Sequence, residues 1–271
     1  MSTFANKAIS ESYEPVSTYK LISMAAILES NLFSIDDQIF CEEGTYEIIP
    51  NKIIHDHEPH QHLTLSEIFM HSSNIGIAKI VKELGSSHIY NFSRKFGFGI
   101  KTGVELPNEA SGILRPIDDW SGLSTTSISI GQEVSVNTLQ LASAYSATAN
   151  GGYLMKPIII KSIQNQDINT TTSPEVIRKV MSKKTSKALL KMMELAVNGG
   201  TSDNAQIPGF KVGGKTGTAE KFIDGRYSKS EFISSFASFF PAYDAKYVIV
   251  INVDSPQYGY HWGNESAGRI T

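Results

Sequence analysis

The chain holds a single cysteine, Cys41, among 271 residues, which excludes an internal disulfide. No continuous apolar run is long enough to cross a bilayer. The start, Met1-Ser2-Thr3-Phe4-Ala5, lacks the charged segment and apolar core of a secretory signal. Neither sign of charge dominates: 24 Lys and Arg stand against 27 Asp and Glu, for a net charge of −3. That balance excludes wholesale phosphate binding, so no nucleic-acid partner is expected. Repeats, low-complexity tracts and clear linkers are also missing. What remains, 41% hydrophobic and 19% charged residues, describes an ordinary globular chain of one large domain or two small ones.

The order of elements reads helix-rich first and strand-rich last. Leu21, Ile22, Met24, Ala25, Ala26, Ile27 and Leu28 surround one helix on all sides, which predicts burial. Cys41-Glu42-Glu43-Gly44-Thr45-Tyr46 reads as a hairpin-like segment. Leu65 to Leu84 reads as a helix interrupted at Ser72-Ser73-Asn74, residues that favour turns and caps. Further helices are predicted over Ser87 to Phe96, Thr138 to Asn150 and Ser182 to Asn198, with Gly151-Gly152 and Gly199-Gly200 ending the last two. Three strands follow, Phe210 to Thr218, Phe232 to Phe240 and Tyr247 to Asp254, with turns at Asp224-Gly225 and Pro241 to Ala245. Short connections imply an antiparallel meander. Tyr247-Val248-Ile249-Val250-Ile251 is continuously apolar, which predicts cover on both faces. The expected class is α+β, an antiparallel sheet with helices on both faces, the helix after Ser17 being one cover.

Three polar clusters carry chemistry. In Ser17-Thr18-Tyr19-Lys20 a hydroxyl and an amine three residues apart share a helix face. Serine becomes a nucleophile when a neighbour takes its proton, and a lysine whose pKa is depressed by burial can do that. Ser72 and Asn74 lie two residues apart at the helix break. Lys215, Thr216 and Thr218 stand on a strand, where 216 and 218 share a face. Gly213, Gly214 and Gly217 flank them and leave room for another backbone, as a peptide laid along a strand edge would need. Taken singly, each cluster has a plain reading: a helix cap, a helix break, a strand with a turn. Lys101-Thr102-Gly103 repeats the third pattern, but in a loop and without the second threonine, and is read as structural.

The ordered set S-x-x-K, S-x-N, K-T-G resembles that of penicillin-binding proteins and serine β-lactamases. The stretches Tyr13-Glu14-Pro15-Val16-Ser17-Thr18-Tyr19-Lys20, Ser72-Ser73-Asn74-Ile75-Gly76, Gly97-Phe98-Gly99, Gly131-Gln132 with Leu139-Gln140-Leu141-Ala142, Ala149-Asn150-Gly151-Gly152 and Gly213-Gly214-Lys215-Thr216-Gly217-Thr218-Ala219 resemble class B penicillin-binding proteins of the division type, over nearly the whole chain. The resemblance implies a serine D,D-transpeptidase acting on peptidoglycan stem peptides that end in D-Ala-D-Ala, and acylated by β-lactam antibiotics. It assigns Ser17 as nucleophile, Lys20 as proton acceptor, Ser72 as proton relay and Asn74 as a holder of the substrate amide and Lys20. Lys215, Thr216, Gly217 and Thr218 fall to substrate binding, and the backbone N–H groups of Ser17 and Thr218 to the oxyanion hole. Implied partners are a glycosyltransferase and division proteins. The implied location is the inner membrane, with the catalytic domain on the periplasmic side.

Alternatives within reach of the same serine are a β-lactamase or D,D-carboxypeptidase, with Glu133 as a conceivable water activator, and a non-catalytic penicillin sensor or scaffold. Against the family pattern, Val16 stands where glycine is usual. Residues 1–271 read as one transpeptidase domain, without the family's N-terminal strands, anchor, pedestal and C-terminal helix. That implies an incomplete sheet of three strands in a chain that is a fragment, a degraded gene product, or one half of a split protein whose companion fragment completes the sheet. His55, Asp56, His57, Glu58, His60 and His62 crowd one polar segment. Alternating His60 and His62 could chelate a divalent ion, but Pro59 and the lack of period describe a surface loop. The reading therefore assigns no metal and no cofactor, and takes His71 as a helix-packing residue.

Overall fold

The computed structural model describes residues 5–165, 167–223, 225–257 and 261–270. Asp224, half of one expected turn, lies outside the described residues, as do Met1 to Phe4. The first turn of helix, α1 (Lys7–Ser10), is capped by the Asn6 side chain. A 3-10 turn, Val16–Tyr19, then runs straight into α2 (Lys20–Glu29). Ser17 therefore sits one turn ahead of the α-helix rather than at its start. The apolar residues Leu21 to Ile27 make α2 the centre of the main core, as their pattern predicts.

Short strands β1 (Gln38–Phe40), β2 (Thr45–Ile49), β3 (Lys52–His55) and β4 (His62–Thr64) follow, β1 pairing with β4 and β2 with β3. The hairpin expected at Cys41 to Tyr46 is displaced. Glu42–Gly44 is a 3-10 turn leading into β2, and the chain reverses after β2, where Asn51 takes φ 64°. Asparagine tolerates that left-handed region better than most residues.

Next come α3 (Leu65–Met70), opened by a Thr64–Glu67 capping box, and α4 (Asn74–Leu84), capped by Ser73. The predicted break falls between them at Ser72, whose φ is 59°. Helices α5 (Ser86–Lys95), α6 (Ser124–Ser129) and α7 (Thr138–Ala149) complete the helical half. Small pairs absent from the sequence reading, β5 (Tyr153–Met155) with β8 (Val176–Lys179) and β6 (Ser162–Gln164) with β7 (Asn169–Thr171), precede α8 (Lys183–Gly199).

The main sheet is β9 (Gly213–Ile223), β10 (Arg226–Phe240) and β11 (Tyr247–Asp254), antiparallel in the order β11-β10-β9, with α9 (Ala267–Ile270) after it. Its first strand starts at Gly213, not Phe210, which is exposed. Ala237 and Phe239 of β10 join the main core, while Phe236 packs with Val212 and Ala267 on the opposite face. Helices thus cover both faces, as expected, but the covers differ from the reading. α7 and α8 pack on the sheet, whereas α2 packs among α4, α5 and α8. β11 is covered on both faces only in part: Val248 and Val250 pack on the main core and Ile251 and Val253 on the second cluster, while Tyr247 is 65% and Ile249 38% exposed. It is an edge strand, and its continuous apolar run reflects partial cover on each face rather than burial.

Candidate active site

Lys20 is fully buried at the first position of α2. Its Nζ lies 2.6 Å from Ser72 O, 3.2 Å from Ser72 Oγ and 2.7 Å from Asn74 Oδ1. Burial pulls its pKa down from 10.5 to about 7, with the Asp56 carboxylate pulling the other way. As an ammonium, Lys20 donates all three bonds. As a free amine it keeps two donors for Ser72 O and Asn74 Oδ1, and its lone pair can accept the Ser72 hydroxyl proton.

The helix break supplies those partners. Ser72 adopts a positive φ, which turns both its carbonyl and its hydroxyl toward Lys20. Asn74 is locked on two sides: its Nδ2 donates to His55 O at 2.9 Å, and its backbone N–H donates to Asp56 Oδ1 at 2.5 Å. Asp56 also accepts from Ile75 N at 3.0 Å and Ser73 Oγ at 2.5 Å. The carboxylate thus sits on the N-terminus of α4, where free N–H groups and the dipole favour an anion. Sequence reasoning missed this role, because Asp56 was buried in the histidine-rich segment and nothing local ties it to a helix eighteen residues on.

Ser17 is half-buried, and its hydroxyl makes no hydrogen bond among the described residues. It neither caps a helix nor bonds Lys20 directly. Its turn is fixed by other groups: Thr18 Oγ1 donates to Pro15 O at 2.6 Å, Tyr145 Oη to Thr18 O at 3.0 Å, and Val16 N to Gly131 O at 3.0 Å. Val16, standing where the resemblance leads one to expect glycine, takes φ 40°, a strained value for a β-branched residue. The turn packs against β9.

On β9, Lys215 is fully buried. Its Nζ lies 3.3 Å from Thr201 Oγ1 and 6.0 Å from the Phe69 ring centre. Burial, and then repulsion from Lys20, hold its pKa well below the ordinary value. Thr216 Oγ1 donates to Thr201 O at 3.4 Å, and Thr218 Oγ1 accepts from Gly263 N at 2.9 Å. The Thr218 proton stays free to donate. Thr201 and the backbone of Gly263 were not anticipated as supports; Thr201 follows Gly199-Gly200, a signal read only as a helix stop. The glycines serve a different purpose from the one expected. A Cβ on Gly213 or Gly214 would strike the rings of Phe239 or Phe236 at 2.2 and 2.4 Å. Only Gly217 makes room for backbone, with Pro15 O 3.0 Å from its Cβ position. That close approach seats the Ser17 turn on the strand.

The penicillin binding protein transpeptidase domain family matches residues 1–271. The chain belongs to this family. It is 35% identical to Stage V sporulation protein D of Bacillus subtilis over 98% of its own length and 42% of that protein. It is 31% identical to the probable peptidoglycan D,D-transpeptidase PbpC of Pseudomonas aeruginosa, over 97% of this chain and 45% of that one. Penicillin-binding protein 3 of Mycobacterium tuberculosis, solved with ampicillin, superposes with a TM-score of 0.89 at 32% identity, covering 99% of this chain and 62% of that one. The chain thus spans less than half the length of these curated relatives.

Within the transpeptidase domain, Glu133 is committed elsewhere. It pairs with Arg115, accepts from Ser124 Oγ at 2.7 Å, and its N–H donates to Glu14. Thr102 of the second K-T-G bonds Glu109 through both its N–H and its hydroxyl, at 2.7 Å each, so that triplet is a loop closure. His62 lies on β4 opposite Phe40. Among the described residues no helix is long and apolar enough to cross a membrane.

Proposed function

We propose that this domain is a serine D,D-transpeptidase that cross-links peptidoglycan stem peptides. Ser17 Oγ attacks the penultimate D-alanine carbonyl carbon as its proton passes to the neutral Lys20 amine. The tetrahedral oxyanion is met by the backbone N–H groups of Ser17 and Thr218, each such donor being worth roughly 3 kcal/mol. Collapse breaks the peptide bond. The terminal D-alanine leaves with a proton delivered to its nitrogen from Lys20 through Ser72. An amine from a neighbouring stem peptide then attacks the ester, loses its proton along the same route, and restores the Ser17 hydroxyl. Asn74 holds Lys20 and the substrate amide. Lys215, Thr216 and Thr218, with Gly217 between them, receive the substrate carboxylate. Its negative charge favours the charged form of Lys215, which burial otherwise disfavours.

The observation that carries this reading is Lys20: fully buried, poised near neutrality, and held between Ser72 and Asn74 one turn from Ser17. The transpeptidases among the relatives point the same way, and the ampicillin complex of one relative favours β-lactams as inhibitors of this domain. The domain would work at the outer face of the cytoplasmic membrane, alongside a glycosyltransferase and division proteins. The β-lactamase alternative is disfavoured by Glu133, whose carboxylate is held by Arg115 and Ser124 rather than turned to a water at Ser17.

Labelling with a fluorescent penicillin tests the proposal. One stable adduct per chain is expected in the native protein and none in Ser17→Ala. A chromogenic cephalosporin should give a single burst. Sustained turnover would replace the transpeptidase with a hydrolase, and labelling retained in Ser17→Ala would remove Ser17 as nucleophile.

A further inference from the structure

The histidine-rich segment contains a grouping that alternation along the sequence does not suggest. His60 is not partnered with His62 but with His71, the residue that caps α3 just before Ser72. The two imidazole rings lie 4.7 Å apart between centres. Glu58 joins them, its Oε2 4.0 Å from His60 Nε2. One ligating atom from each of the three lies within 4.8 Å of the others. His60 Nε2 is buried and has no hydrogen-bond partner, an unusual state for a ring nitrogen inside a fold.

We propose that Glu58, His60 and His71 form a binding site for one zinc-class divalent cation beside the reaction centre. Two imidazole nitrogens and a carboxylate suit Zn²⁺, with its fourth position left to water. Tetrahedral zinc with bonds of about 2.0–2.1 Å needs ligand atoms about 3.4 Å apart, so closure by up to about 1.4 Å is required. Glu58 supplies it, because its side chain is 66% exposed and free to swing inward. His60 O accepts from Glu43 N at 3.0 Å, and His71 N donates to Glu67 O at 2.8 Å, so both backbones are fixed. The nearby Glu67 carboxylate is committed to capping at Thr64 and does not compete. The cation would pin the residue that immediately precedes Ser72, where the chain takes its left-handed turn.

Equilibrium dialysis of the native chain against zinc chloride, with bound metal measured by atomic emission, tests the site. One zinc per chain is expected, not displaced by excess Mg²⁺, which prefers oxygen ligands. Affinity should fall at least about ten-fold in Glu58→Ala and in His60→Ala, and stay unchanged in His57→Ala and His62→Ala. Absence of stoichiometric zinc, undiminished affinity in Glu58→Ala, or an equal loss in His62→Ala would each overturn the proposal. Glu58 is exposed, so its variant decides the matter even where His60→Ala fails to fold.

Discussion

The Asp56 carboxylate accepts the Asn74 backbone N–H at 2.5 Å and thereby sets where Asn74 meets Lys20. One carboxylate caps α4, orients the residue that holds the lysine, and contributes the negative charge that keeps the lysine pKa from falling further. Helix capping and amine tuning are here the same interaction.

Asp56→Ala removes three hydrogen bonds to an anion at a helix N-terminus. A lost cap costs about 1–2 kcal/mol, and the N–H donors of Asn74 and Ile75 are left without that partner. Destabilisation of about 2–3 kcal/mol is expected by urea denaturation. The pH midpoint for penicillin acylation should also move down, because the charge that raises the Lys20 pKa is gone. A variant as stable as the native chain would show that the carboxylate is idle.

Acylation should follow the fraction of neutral Lys20. With a pKa of about 7, the rate of penicillin labelling is expected to rise roughly ten-fold from about pH 6 to about pH 8 and then level off. Stopped-flow measurement across that range checks it. A flat profile would mean that another group takes the Ser17 proton.

Stability carries the same signature with a defined sign. The folded pKa of Lys20 lies below the unfolded value of about 10.4. Between about pH 7 and that value the unfolded chain binds a proton that the folded chain does not, so unfolding free energy rises with pH. The full cost of burying a charged Lys20 is felt below about pH 7. Its relief amounts to about 1.4 kcal/mol per pH unit, and Lys215, shifted in the same direction, adds to it. Above about pH 10 the buried tyrosines Tyr13, Tyr19 and Tyr145, whose pKa values are raised, reverse the trend. Urea midpoints at about pH 7, 8 and 9 should therefore climb in the native chain and climb less steeply in Lys20→Met. Parallel slopes would remove Lys20 as the source.

The helices were legible wherever a repeat of apolar residues met a strong punctuation mark: Gly199-Gly200 ended α8, and Ser73 opened α4. The motif residues were legible because hydroxyl, amide and amine types stand at spacings that chemistry restricts. What stayed hidden depends on partners distant in sequence. Asp56 reads as one more polar residue until α4 arrives beside it. Gly213 and Gly214 read as space for a ligand until Phe239 and Phe236 fill it from the neighbouring strand. β11 reads as buried on both faces because composition records hydrophobicity, not how far α7 and α9 reach along the strand.

Val16 is the place where local preference and structure disagree most, and it lies one residue before Ser17. Its φ of 40° suits glycine, its N–H donates to Gly131 O at 3.0 Å, and a Cβ on Gly131 would strike its backbone. A comparison of Val16→Gly with Val16→Ala isolates the backbone cost, since both remove the branched side chain. In an ordinary helix or strand glycine is about 0.5–1 kcal/mol less stable than alanine. In the left-handed region alanine carries a cost of about 1–2 kcal/mol that glycine escapes. Val16→Gly should therefore be the more stable of the two, by about 0.5–1 kcal/mol in chemical denaturation. The opposite order would mean that the turn before the nucleophile is not held in the left-handed conformation in solution.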